Sequence, residues 1–293
     1  MALNHRYTDE QIAQAARPGE TSSQVIARLQ KEGEKGKGVA IRRSPVQEAI
    51  PFWPETVRAI PNDVARSAIF TVRSWKAERK AHRDAPIFSV GNVRLTFTGV
   101  ELRAADDEIV WQQLLHYARN FGPDNWIEFT PTQLCRDLGW SVNATYRAKL
   151  RQSIMSLLSA TILVENTQHE KGLAVRFVDT FEYETPEGEK LPRWRVKLGK
   201  EMAKWFSNHQ FTQIELHGYR EMTPVARRIC DYVCSHQAPY ALKLETLKSM
   251  CGSETKAVKR WREQVREALA QLQSASFIRS WEVTSEDLVT IIR

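Results

Sequence analysis

No stretch of this 293-residue chain approaches the run of about 18 apolar residues that a membrane-spanning helix requires. Its N-terminus, interrupted by Asn4, His5 and Asp9, also lacks the apolar centre of a signal peptide, so a cytoplasmic protein with no membrane partner is expected. Cysteine is scarce. Cys135, Cys230, Cys234 and Cys251 sit inside apolar helical patterns, not at the spacings of a disulfide scaffold or a zinc site, which suits a reducing compartment. Cys230 and Cys234 share a helix face, where packing in a core is the expected role. The seven histidines are scattered, with no His-x-His pair to hold a metal beside a nicking tyrosine and no H-E-x-x-H; no metal site is expected. Neither G-x-x-x-x-G-K-[ST] nor G-x-G-x-x-G occurs, which argues against a nucleotide hydrolase and a dinucleotide enzyme. Tyr146 and Tyr219, the conceivable strand-cleaving nucleophiles, read as a helix-surface contact and a packing residue. The expectation is a protein with no cofactor and no catalytic activity.

What the chain does have is positive charge: 42 Lys and Arg against 35 Asp and Glu, a net charge of +7 that suits a polyanionic partner. Its length suggests about two domains, each able to bury its own core. From Lys243 to Leu272, a short apolar helix (Leu244, Leu247, Met250) breaks at Gly252 and a longer one begins after Ser253. Two helices meeting at a Gly-containing turn form the helix-turn-helix layout, whose second helix lies in the DNA major groove. On that helix Val258, Val265, Ala268, Leu269 and Leu272 recur at helical spacing and are expected to face a core. Ser253 is the expected N-cap, and Thr255, Lys256, Lys259, Arg260, Arg262 and Arg266 are the candidate DNA contacts; the alternative is a solvated basic face.

The same pattern occurs upstream. An amphipathic helix over Asp106 to Asn120 precedes a strand from Trp126 to Phe129, a helix ending at Gly139, and a long helix from about Val142 to Ala160. Leu134 and Gly139 correspond to Leu247 and Gly252, and Val110, Leu114 and Tyr117 correspond to Val225, Ile229 and Tyr232, so the chain reads as two copies of one module. Candidate contacts on the first copy are Asn143, Thr145, Tyr146, Arg147, Lys149 and Arg151. Negative charge at a helix N-terminus accounts for Asp106, Asp107 and Glu108. Strands follow each long helix: Thr161 to Asn166, Ala174 to Tyr183 and Trp194 to Leu198, then Phe277 to Val283 with Leu288 to Ile292. A helix-turn-helix followed by a hairpin is a winged helix. The predicted fold is therefore α+β, mostly helical, with tandem winged-helix domains at 53–198 and 199–293 behind a flexible basic arm at 1–52. Lys200 to Tyr219 is expected to bridge the copies, with Met202, Trp205 and Phe206 packed at the interface.

Within the arm, short helices are expected around Asp9 to Ala16 and Ser22 to Lys31, followed by a basic linker through Arg42, Arg43, Ser44 and Pro45. Gln47, Ile50 and Phe52 have the Q-x-x-aliphatic-x-aromatic shape of peptides that dock into the bacterial sliding clamp; the alternative is a linker whose Ile50, Phe52 and Trp53 pack onto the first domain. Trp53 to Pro86 reads as helical, with Pro61-Asn62-Asp63 as a start signal. The basic run Lys76, Arg79, Lys80 and Arg83 lies either against phosphates or in a solvated loop. A hairpin is expected from Phe88 to Phe97 around Gly91-Asn92.

Several blocks resemble the TrfA replication initiators of broad-host-range IncP-type plasmids: Trp53 to Asp63 (WPETVRAIPND), Thr98 to Arg103, Val110 to Gln113, Leu134 to Ser141, Thr223 to Arg228, and Leu242 through Ser253 to Val265. The resemblance implies two winged-helix domains that bind repeated origin sites (iterons) as monomers. It further implies opening of adjacent AT-rich DNA, with single-stranded origin DNA as a further partner, and helicase loading with the host DnaA. Dimers inactive for initiation and contact with the sliding clamp through an N-terminal peptide are also implied. Aligned on Trp53, that family peptide falls a few residues before Gln47 to Phe52. The rival readings are a winged-helix transcriptional repressor or autoregulator acting by occlusion, and a strand-nicking Rep enzyme.

Overall fold

The computed structural model describes residues 20–22, 24–25, 50–74, 76–91, 93–119, 125–166, 171–185, 187–206 and 210–293. The helix expected around Asp9 to Ala16, most of that expected over Ser22 to Lys31, the basic linker with Arg42 and Arg43, and Gln47 lie outside the described residues. In the N-terminal unit the backbone N–H groups of Gln24 and Val25 donate to the Thr21 carbonyl at 2.9 and 3.0 Å, which starts a helical turn. Glu48 to Arg293 is a second unit, compact throughout.

That second unit begins with a strand where the sequence suggested a helix. β1 (Val57–Pro61) is buried at all its positions and pairs antiparallel with β11 (Phe211–Glu215), Val57 opposite Glu215 and Pro61 opposite Phe211. Only the single turn α1 (Asn62–Ala65) is helical there, before β2 (Phe70–Thr71), which pairs in parallel with β5 (Leu102–Arg103). Local spacing could not reveal this. The partners of these strands are remote in sequence, and tertiary pairing overrides a weak helical pattern. β3 (Ala81–Ile87) and β4 (Val93–Val100) form a hairpin whose second arm contains the expected Arg94 to Phe97, but its first arm lies ahead of the expected Phe88 to Val90, where Ser89 instead bridges to Ser67.

The first copy of the repeat then runs α2 (Asp107–Ala118), β6 (Ile127–Phe129), α3 (Pro131–Asp137), α4 (Ala144–Ser159), and ends in β9 (Val178–Glu184) and β10 (Lys190–Leu198). The second runs α7 (Pro224–Cys234), β12 (Leu242–Lys243), α8 (Leu244–Met250), α9 (Val258–Ser274), β13 (Ser280–Val283) and β14 (Leu288–Ile292). Both copies follow the order helix, strand, helix, helix, strand, strand, and both sheets place the last strand at the centre: β6-β10-β9 and β12-β14-β13. Between them β11 is flanked by the single helical turn α5 (Met202–Trp205) and the short segment α6 (Leu216–Tyr219), which is interrupted by the non-helical backbone of His217 and Gly218. Met202, Trp205 and Phe206 are buried, as expected of the bridge.

The first copy differs by an insertion, β7 (Thr161–Asn166) and β8 (Lys171–Arg176), which joins the earlier hairpin in a four-stranded sheet ordered β3-β4-β7-β8. The single strand predicted from Ala174 to Tyr183 is therefore two, belonging to different sheets. The chain changes sheet at Phe177, which packs against Phe70, Trp111 and Trp205 at centroid distances of 5.7, 5.1 and 5.9 Å. These inserted and N-terminal strands also correct the expectation of a mostly helical protein: 37% of the structure is helical and 31% is strand.

Candidate nucleic-acid interface

Each copy places a short helix, a glycine turn and a long helix in succession. Gly139 and Gly252 both take positive φ, +71° and +59°, the left-handed conformation that glycine adopts without steric penalty. Leu134, Cys135 and Leu138 bury one side of the first turn, and Leu247, Met250 and Cys251 that of the second. Behind them Leu150, Ile154 and Leu157 on α4, and Trp261, Val265, Ala268, Leu269 and Leu272 on α9, face the core at helical spacing. The opposite faces are left to solvent.

On α4 the exposed residues are Ala144, Thr145, Arg147, Ala148, Arg151, Gln152, Met155 and Ser159. Ala144 and Ala148 keep this face low, so the helix backbone can approach a groove closely. These alanines and Gln152 are not among the residues expected from the sequence, because small or uncharged side chains at these positions carry no signal of their own. Asn143 is the N-cap, its side chain accepting from the Tyr146 N–H at 2.9 Å. Tyr146 is half-buried against Trp140, with centroids 5.8 Å apart. Lys149 turns inward: its Nζ lies 2.5 Å from Asp106 and 4.7 Å from the Trp140 ring centre. Arg147 donates to Thr132 at 3.1 Å, and Arg151 donates to the Tyr183 hydroxyl at 2.6 Å while covering its ring, linking the helix to β9.

On α9 the predicted start moves. Ala257, not Ser253, occupies the N-cap position, because Ser253 and Thr255 are engaged in the preceding turn. There the Ser253 hydroxyl donates to Thr255 Oγ1 at 3.1 Å, which donates to Gln264 at 3.2 Å. Val258 is 57% exposed and its expected place in the core belongs to Trp261, whose indole N–H donates to the Leu244 carbonyl at 2.9 Å. Arg262 Nε donates to Asp287 in the β13–β14 turn at 2.9 Å. Lys256, Lys259, Arg260 and Arg266 are exposed and make no ion pair with any described residue. Of the candidates, therefore, Lys259, Arg260 and Arg266 on α9, Lys256 just before its N-cap, and Arg147 and Arg151 on α4 present cationic groups outward, whereas Lys149 and Arg262 are tied to neighbouring carboxylates.

The acidic trio at the start of α2 has partners beyond the helix dipole. Asp106 meets Lys149, Asp107 meets Arg79, and Glu108 lies 2.5 Å from Arg228 of α7, which also stands 2.7 Å from Asp231. Arg228 is fully buried and donates to the carbonyls of Val64 (2.8 Å), Ala65 (3.3 Å) and Ser67 (2.7 Å). Tyr219 closes the network, donating to Asp231 at 2.9 Å and accepting from Gln112 at 3.1 Å. Burial pushes the Glu108 carboxyl up to about 8, with Arg228 opposing the shift and Asp231 reinforcing it. Tyr219 is thus a buried structural tyrosine. No group of three or more potential metal ligands occurs among the described residues.

The candidate clamp peptide is not displayed as a unit. Ile50 is 1% exposed and Trp53 is fully buried, whereas Phe52 is 61% exposed beside Arg119; Gln47 is outside the described residues. The packed-linker alternative accounts for Ile50 and Trp53. Of the basic run that follows in the chain, Arg79 and Lys80 are likewise engaged within the protein, on Asp107 and Glu254. Among the described residues no helix is long and apolar enough to cross a membrane.

The family model described as TrfA protein matches residues 40–293. A plasmid replication initiator protein TrfA from Escherichia coli is 42% identical over 240 residues, covering 81% of this chain and 62% of that protein. The chain thus spans less than two thirds of the length of that relative. The crystal structure of selenomethionine derivatives of domains 2 and 3 of RctB superposes with a TM-score of 0.53 at 13% identity, covering 78% of this chain and 88% of that one, which is a likeness of fold alone.

Proposed function

The chain belongs to the TrfA protein family, and from that premise we propose that it is a plasmid replication initiator that acts by binding and has no catalytic step of its own. Each copy of the repeat is read as a winged helix, with α4 and α9 as recognition helices and the β9–β10 and β13–β14 hairpins as wings. The observation that carries this reading is the repeated topology, with an outward cationic face at the start of each long helix. Arg147 and Arg151 on one helix, and Lys259, Arg260 and Arg266 on the other with Lys256 just ahead of it, contact base edges and phosphates of origin repeats. Two modules in one chain supply effective concentration to each other, so modest half-affinities combine. Binding energy then deforms adjacent AT-rich DNA, and recruitment of DnaA, the replicative helicase and the sliding clamp follows on the assembled repeats. Clamp contact through Ile50 would require that side chain to leave the core, and the homodimer is the form withheld from initiation.

The test is binding to the repeated origin DNA of the protein's own plasmid and to a scrambled duplex across a salt series. Repeat-specific binding that outlasts the non-specific component as salt rises supports the reading. Equal, steeply salt-sensitive binding to both duplexes removes it. A minimal origin supplied with the protein in trans separates initiator from repressor, since a repressor would bind but not replicate it.

A further inference from the structure

The turn that leads into α9 is held by a segment of the first half of the chain. Val72, directly after β2, donates its N–H to the Cys251 carbonyl at 2.9 Å. Thr71 packs on Gly252 so closely that a Cβ there would lie 2.8 Å from the threonine methyl. Arg73 then reaches forward, its Nε 2.9 Å from Glu254, and Lys80 meets the same carboxylate from the other end of the segment. Both cations hold the Glu254 carboxyl below its ordinary range, the hydrogen bond from Lys80 most of all.

The strap itself is anchored to the first module. Thr71 donates to the buried Glu101 at 2.6 Å, Arg73 pairs with Glu101, and Arg79 donates to the Glu101 carbonyl at 2.7 Å and pairs with Asp107 at the head of α2. The Ala104 N–H donates to the Thr71 carbonyl at 2.9 Å, next to the β2–β5 pairing. A continuous path of pairs therefore runs from the start of α2, against which α4 packs, to the residue three positions before the α9 N-cap.

From this path we propose that Glu254 is a positioning residue: gripped by Arg73 and Lys80, it sets the start of α9 relative to α4 and thereby the spacing between the two DNA half-sites the chain accepts. The inference rests on the reading of α4 and α9 as recognition helices. Glu254 touches no base in this scheme. It acts through the strap, and what it determines is register, because inserting one base pair moves the second half-site by about 3.4 Å and rotates it by about 35°. A tightly strapped pair of helices rejects that change, and a loosely strapped pair follows it.

The experiment starts from a duplex selected by the full chain from a random library and footprinted to locate the two protected halves. Variants of this duplex with one base pair inserted or removed between the halves are titrated with the wild type, with Glu254→Gln and with Lys80→Gln. Glu254 and Lys80 are 51% and 52% exposed, so neither substitution disturbs a core, and they change the net charge in opposite directions. The wild type is expected to lose about tenfold or more in affinity per altered base pair, and both variants about threefold or less, with affinity for an isolated half-site unchanged. Relaxed spacing in both variants supports the strap, since a net-charge effect would move them apart. Unchanged spacing discrimination in the two variants overturns it. Failure of the wild type to select any duplex removes the DNA-binding reading itself.

Discussion

Lys149 and Arg260 occur near the starts of equivalent helices and carry the same charge, yet their surroundings give them different work. Lys149 neutralises Asp106, which is 7% exposed, whereas Arg260 faces solvent with no ion-pair partner among the described residues. Lys149→Ala is therefore expected to destabilise the fold by about 1 to 3 kcal/mol by leaving a buried carboxylate without its cation. Its effect on DNA binding at saturating folded protein should be small. The pair Lys259→Ala and Arg260→Ala should do the reverse, weakening repeat binding by about 10- to 100-fold per lost base contact while the unfolding midpoint stays in place. Urea titration and filter binding on the same preparations decide this, and a double variant with unaltered binding would take α9 out of the interface. In the sequence these cations were indistinguishable, because the carboxylates that claim Lys149 and Arg262 are 43 and 25 positions away. What was legible was the inward phase of α9 from Val265 through Leu272, with Val258 as the exception at its start.

Strands with an alternating pattern, such as β6, β7 and β10, were readable although their partners are far away in sequence, as were both glycine turns; short strands without such a pattern were not. β1 was hidden because β11 completes it, and the start of α9 was misplaced because Ser253 and Thr255 bond to each other and to Gln264 instead of capping. The junction of α2 and α7 was hidden for the same reason: Glu108 reads as a helix-start acid until Arg228 is set beside it. This junction gives stability a pH dependence of defined sign. Folded Glu108 is raised to about 8 from an ordinary 4.5, so between these values the native state keeps a proton that the unfolded chain has released. Its contribution is fully present below the lower value and is lost as pH rises through the upper one. Asp231, also raised chiefly by burial, adds in the same direction. His116, lowered chiefly by burial, contributes the opposite slope and does so equally in wild type and variant. Glu108→Gln should therefore retain more of its stability than the wild type between about pH 5 and pH 8. Urea midpoints at three pH values across this window check it, and parallel profiles for the two proteins would show that Glu108 does not titrate there.

At the scale of the whole unit, three separate fastenings join the halves of the sequence: the β1–β11 pairing, the buried Arg228 network, and the strap onto Cys251 and Glu254. A chain of two independently folded modules joined by a linker would unfold in two steps, but here the first strand of the unit is completed only by a strand that follows the first module. Far-ultraviolet dichroism and tryptophan fluorescence should accordingly trace one coincident thermal transition, the nine tryptophans reporting on both copies. Arg228→Met sharpens the test. It removes the guanidinium that Glu108 and Asp231 share and leaves three carbonyls without a donor, a loss of about 3 to 5 kcal/mol by analogy with other broken buried networks. If the fastenings make one cooperative unit, the single transition moves down as a whole, by about 6 to 20 °C. Two separated transitions in the variant, with the second module melting at its wild-type temperature, would mean that the network docks two independent domains and does not bind them into one fold. In that case the spacing of α4 and α9 would depend on the β1–β11 pairing and the strap.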